Sequence, residues 1–217
     1  MDKERVLNII EETGVVAVLR LKSPDKIRNV VDALIEGGIR AIEFTMSIPG
    51  CLQLISEFRS QMNGASLIGV GTVLNGQEAR QAIQAGAQFV VSPILDPEII
   101  QEARAANVPV FPGAYTPTEI YTAWSLGADI VKVFPATSLG PRFFKDIHGP
   151  MSEIKLTPTG GVSLENTAEF IRMGAACVGV GTALLRPQLI ENDDWAGLGE
   201  LAARFIQEVK KGRKVIA

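Results

Sequence analysis

Two hydrophobic periods alternate along this chain. Short apolar runs, rich in Val, Ile and Phe, read as strands at residues 15–20, 39–45, 67–71, 88–92, 108–111, 129–134, 154–157 and 177–180. Between them, apolar positions recur every three to four residues, the period of an amphipathic helix. That period occupies 24–37, a stretch approached through Pro49, 76–85, stretches opening at Asp96-Pro97 and Thr116-Pro117, and 140–148. Ser163 caps a further helix, 194–211 closes the series, and the segment before residue 15 is also helical in pattern. Ser23 as N-cap and Pro24 at the first position begin the 24–37 helix. Strands and helices in strict alternation require a parallel sheet covered by helices. Gly37-Gly38, Gly86-Ala87, Gly127-Ala128 and Gly174-Ala175 each end a helix and open a strand, roughly 40 to 50 residues apart, about two βα units. Eight units in this length fit a closed (β/α)8 barrel better than an open doubly wound sheet. No linker-like stretch interrupts the series, so residues 1–217 read as one domain.

Composition narrows the function. Of 217 residues, 47% are apolar, enough for one large core. A net charge of −3 and an isoelectric point near 5.3 argue against a nucleic-acid or membrane-surface role. The N-terminus lacks the apolar centre of a signal peptide, and no stretch approaches transmembrane length. Cys51 and Cys177 have no metal-ligand spacing and suit a reducing compartment, so a soluble, cytoplasmic protein is expected. The single histidine, His148, follows a helix rather than a strand end, which makes a metal site unexpected. Trp124 reads as packing.

Chemistry concentrates on one strand. Within 129–134, Ile130, Lys132 and Phe134 share a face, and Val131 and Val133 share the other. A lysine in an apolar strand either snorkels or pairs with a carboxylate, or else has a job; desolvation lowers its pKa and leaves a nucleophilic amine near neutral pH. In a barrel the active site lies at the C-terminal strand ends. Those ends carry Arg20, Glu43 and Thr45, Thr72, Ser92-Pro93, Lys132 and Phe134, Thr157 to Gly161, and Gly181-Thr182. An Arg, a Lys, a carboxylate and several hydroxyls converging on one mouth describe a charged catalytic pocket. Each alone has a plainer reading: Arg20 as a surface cation, Glu43 as a structural ion-pair partner. The glycine-rich loops over 158–162 and 178–183 suit a phosphate held by backbone N–H groups, although Gly69-Val-Gly-Thr72 repeats the pattern and points equally to turn geometry.

Taken in order, Val16-Ala-Val-Leu-Arg20, Ile42-Glu-Phe-Thr45, Gly69-Val-Gly-Thr72, Val91-Ser-Pro93, Phe111-Pro-Gly113, Lys132-Val-Phe-Pro135, Thr157-Pro-Thr-Gly-Gly161 and Gly179-Val-Gly-Thr182 resemble the 2-keto-3-deoxy-6-phosphogluconate aldolase family. That family also includes 4-hydroxy-2-oxoglutarate aldolases. The resemblance runs nearly the whole length. It implies a homotrimeric class I aldolase with a (β/α)8 fold, a small keto-acid substrate and no metal or other cofactor. Carried over by residue, Lys132 resembles the Schiff-base lysine and Glu43 the general acid/base. Thr72, Pro93 and Phe134 resemble the pyruvate pocket, and Thr159, Gly160, Gly161, Gly181 and Thr182 the contacts to the phosphate end. Some members place an arginine a few residues after the glutamate to bind the substrate carboxylate; here that stretch is Met46-Ser-Ile-Pro49, and Arg20 can supply the cation. Two other readings stand beside this one: a different enzyme on a phosphate-binding barrel, such as an epimerase or isomerase, and an inactive barrel that only binds phosphosugars.

Overall fold

A computed structural model describes residues 2–21, 24–62, 64 and 66–214. Helix α1 (Lys3–Thr13) precedes β1 (Val15–Leu19), a 3-10 turn at Pro24–Lys26 and α2 (Ile27–Glu36). There follow β2 (Ala41–Thr45), α3 (Cys51–Gln61), β3 (Leu67–Gly71), α4 (Gly76–Gln84), β4 (Val90–Val91) and α5 (Pro97–Ala105). Next come β5 (Val110–Phe111), β6 (Gly113–Ala114), α6 (Pro117–Ser125), β7 (Val131–Val133) and α7 (Gly140–His148). The chain ends with β8 (Leu156–Pro158), α8 (Leu164–Arg172), β9 (Val178–Val180), α9 (Pro187–Glu191) and α10 (Trp195–Arg213).

All strand pairings are parallel. They form a six-stranded sheet in the order β5-β4-β3-β2-β1-β9 and a three-stranded sheet β6-β7-β8, a curled α/β arrangement with helices outside. Isolated parallel bridges join Leu156 to Ala175 and Thr159 to Gly179, between the β8 and β9 ends.

Side-chain alternation divides the core into two layers. Ala17, Ile42, Ile68, Val90, Val131 and Val133 point outward and pack with the helices. Their neighbours Val16, Ala41, Leu67, Phe89, Phe111, Ile130 and Cys177 point inward and pack with Val6 and Ile10 of α1. Helix α1 therefore closes the N-terminal end of the curl with an apolar floor. Anything polar on the inner face must lie above that floor, toward the C-terminal strand ends.

Three details depart from the expected elements. The fifth strand is cut at Pro112, which has no N–H for the ladder. Its carbonyl instead accepts from Lys132 N at 2.9 Å, and the chain resumes as β6 beside β7. Pro24 opens a 3-10 turn, and the α-helix begins only at Ile27; Ser23 lies outside the described residues. Helix α9 was not anticipated. The helix starts at Asp96, Thr116 and Ser163 are as read: the Thr116 side chain and Glu119 form a capping box, Asp96 accepts from Glu98 N at 2.8 Å, and Ser163 N donates to Asn166 Oδ1 at 2.8 Å. No helix among the described residues is long and apolar enough to cross a membrane.

Candidate active site

Lys132 sits in the middle of β7, one inward position above Ile130 of the floor, and is only 4% exposed. Glu43 holds the equivalent place on β2, one inward position above Ala41, at 2% exposure. The alternation predicted for both strands is present. Two ionisable groups thus share the inner layer directly above an apolar floor, a costly arrangement that structure alone does not require. Glu43 Oε1 is buried with no hydrogen-bond partner. An orphaned carboxylate oxygen of this kind is rare in a core that serves only packing.

Burial dominates the electrostatics of both groups. It pushes the Glu43 carboxyl above its ordinary range, against the pull of the Lys132 and Arg20 charges. It pushes the Lys132 ammonium below its ordinary range; the Glu43 charge opposes this and the Arg20 charge adds to it. Arg20 is exposed, the first residue beyond β1, and its charge reaches both groups. Lys132 Nζ lies 4.9 Å from the centre of the half-buried Phe134 ring, which covers it on the same face.

Glycines create the room. A Cβ on Gly71 of β3 would overlap the Glu43 carboxylate. One on Gly69 would overlap the Phe89 ring, and one on Gly113 would overlap the Pro93 backbone. The Gly69-Val-Gly run therefore clears space inside the curl, and this role was missed in the sequence. Only the inward register of both glycines hinted at it. Thr72, next along, holds φ at 59° although it is β-branched, a strained conformation of the sort that collects at functional sites. Pro93 is half-buried behind Ser92, whose hydroxyl accepts from Ile94 N at 3.1 Å.

The loop after β8 adjoins β9 through the Thr159–Gly179 bridge, and a Cβ on Gly179 would overlap Thr159 Oγ1. Thr159 thus turns its hydroxyl inward. Gly160 and Gly161 adopt φ of 84° and 75°. Gly161 packs so closely on the loop after β7 that a Cβ would lie 2.8 Å from Thr137 Oγ1. Gly160 N–H lies in the bridge to Gly179, while among the described residues the N–H groups of Gly161, Gly181 and Thr182 carry no hydrogen bond. They are the donors an anion needs. Thr182 and Gly161 are exposed, at the outer rim.

His148 lies away from this mouth, bonded through Nε2 to Ile154 O at 2.9 Å. A wide concavity of about 560 Å³ also lies at the opposite end, beside Glu11, Glu12 and Arg213. Its arginine is already committed to the Glu11 and Glu12 carbonyls, so it offers no chemistry comparable to the Lys132 mouth.

Fold and inner layer together describe a parallel α/β protein built around a buried amine with a carboxylate on the same inner face. Within that class, the chain belongs to the KDPG and KHG aldolase family, a family of lyases, which it matches over residues 6–201. It is 34% identical to a 2-dehydro-3-deoxy-phosphogluconate aldolase of Pseudomonas aeruginosa over 215 residues, covering 97% of this chain and 96% of the relative. A 2-dehydro-3-deoxy-6-phosphogalactonate aldolase of Escherichia coli is 34% identical over 172 residues, 79% of this chain and 84% of the relative. Among solved structures, KDPG aldolase from Legionella pneumophila, with pyruvate captured at low pH as a covalent carbinolamine intermediate, superposes with a TM-score of 0.84. That pair is 27% identical and covers 91% of this chain and 96% of the other.

Proposed function

We propose that this protein is a class I aldolase that cleaves 2-keto-3-deoxy-6-phosphogluconate to pyruvate and glyceraldehyde 3-phosphate, with 4-hydroxy-2-oxoglutarate as a second substrate giving pyruvate and glyoxylate. The observation that carries the reading is the buried Lys132 in one inner layer with the unpartnered carboxylate of Glu43. The neutral amine of Lys132 adds to the 2-keto carbon, and loss of water gives an iminium. The C4 hydroxyl then gives up its proton and becomes the aldehyde, while the C3–C4 electron pair moves toward the iminium and forms an enamine. Protonation at C3 and hydrolysis release pyruvate and restore the amine. Glu43 moves the protons at the carbinolamine, at the C4 hydroxyl and at C3, directly or through water.

Arg20 and Thr72 hold the substrate carboxylate, and Pro93 and Phe134 wall the pyruvate end. The unpaired N–H groups of Gly161, Gly181 and Thr182 receive the phosphate beside Gly160, with Thr159 facing the substrate between the two ends. An inactive binding barrel has no use for Lys132 and an orphaned Glu43 in its inner layer. An epimerase would leave the amine unexplained.

The wider architecture belongs to the same reading. The two sheets close into a (β/α)8 barrel forming one domain, supported by the β8–β9 bridges and by the bond from Asp129 N to Val110 O at 3.1 Å. Leu74, Ile94 and Tyr115 are 48%, 44% and 40% exposed in three successive βα loops and Tyr121 of α6 is 58% exposed, and such exposed apolar side chains suit burial in a homotrimer. Both cysteines are free and buried, consistent with a reducing cytoplasm.

Pyruvate release from the two aldols, followed with a coupled dehydrogenase, tests the activity. Turnover of at least one of the two aldols is expected. A protein that releases pyruvate from neither aldol would refute the reading.

A further inference from the structure

Thr45 is fully buried at the end of β2, one inward position above Glu43, and has no part in the steps above. Its Oγ1 lies 3.0 Å from Leu19 O on β1 and 2.8 Å from Ser47 Oγ. A hydroxyl carries one proton and a carbonyl only accepts. Thr45 therefore donates to Leu19 O, and Ser47 donates to Thr45. This two-step relay ends on the peptide that joins Leu19 to Arg20.

That peptide lies where β1 stops, since the last register pair is Leu19 with Phe44. Beyond it Arg20 is exposed, and among the described residues no hydrogen bond or ion pair holds its guanidinium. A long, free side chain loses much rotamer freedom on binding, so the direction in which it leaves the backbone matters. The β1–β2 ladder already engages the Leu19 carbonyl at this register, and the Thr45 hydroxyl adds a second bond that holds the planar peptide and with it the Cα from which the Arg20 side chain leaves.

We infer that Thr45, with Ser47 behind it, is a positioning residue for the substrate carboxylate, acting through the backbone of Arg20. The inference rests on the reading of Arg20 as the carboxylate cation. Thr45 itself touches no substrate. A merely structural threonine would weaken the β1–β2 edge whatever residue stood at position 20, and that difference is measurable.

The experiment is the pyruvate concentration dependence of borohydride trapping in the wild type, Thr45→Val, Thr45→Ser, Arg20→Ala and Arg20→Ala/Thr45→Val. Thr45→Val is expected to raise half-saturating pyruvate about five- to tenfold, the effect of one buried hydrogen bond. Thr45→Ser restores it to within about twofold, because the donor is retained. In the Arg20→Ala background, Thr45→Val adds less than about twofold, because nothing remains to be positioned. Equal factors in both backgrounds would overturn the inference while leaving Arg20 as the cation. An Arg20→Ala protein with wild-type half-saturation would overturn the Arg20 reading itself, and the inference with it. Should Thr45→Val fail to fold, Ser47→Ala removes the exposed donor behind Thr45. A rise of about threefold that disappears in the Arg20→Ala background is then expected, and an unchanged half-saturation overturns the relay.

Discussion

Lys132 and Glu43 are each expensive to bury, and Glu43 Oε1 has no hydrogen-bond partner. Their charges act on one another in opposite senses to burial, which gives a signed prediction. Lys132 is held below the ordinary lysine value, so its reactive free amine appears as pH rises through that lowered pKa. Removing the Glu43 charge should lower that midpoint further, whereas removing the Arg20 charge should raise it. The pH dependence of pyruvate adduct formation in Glu43→Gln and Arg20→Ala reads this directly. Midpoints that move in the same direction would show that some other group governs the amine. Glu43→Gln should also lose about 10²- to 10⁴-fold in cleavage, since a carboxamide cannot relay protons. Gly71 tests the space around the pair. Gly71→Ala drives a Cβ into the Glu43 carboxylate, so activity should fall with about 1–3 kcal/mol of stability, read by denaturant unfolding.

At the scale of elements, much was legible because strand and helix periods assign faces. Period two put Ile130, Lys132 and Phe134 on one side and Val131 and Val133 on the other, and the two core layers follow that division. The break at Pro112 lay in plain view, yet its consequence depends on which neighbour accepts the resumed strand. Helix α9 is short and weakly patterned, so no period announced it. The clearance roles of Gly71 and Gly113 depend on the Glu43 side chain and the Pro93 backbone of neighbouring segments, which one strand's sequence does not contain. The same holds for Thr137 against Gly161. That contact sharpens the account of the anion loops: Gly161→Val meets both a positive φ and Thr137, so the loop must shift. KM for the phosphorylated aldol should rise while pyruvate trapping is spared. Equal loss of both would mark Gly161 as a turn glycine only.

For the whole molecule, the proposed reading closes the floor, the reactive layer and the anion-binding rim into one barrel and assigns its exposed apolar side chains to contacts with two further copies. Light scattering at micromolar concentration should therefore report a trimer, and a monomer would contradict the assembly. The central claim, however, is covalent: the amine of Lys132 forms the bond to substrate. Borohydride reduction in the presence of pyruvate, followed by peptide mapping, tests it most directly. The account predicts a stable adduct on the peptide containing Lys132, absent from Lys132→Ala and formed slowly in Glu43→Gln. An adduct on any other lysine, or an active protein that traps no pyruvate, would contradict it.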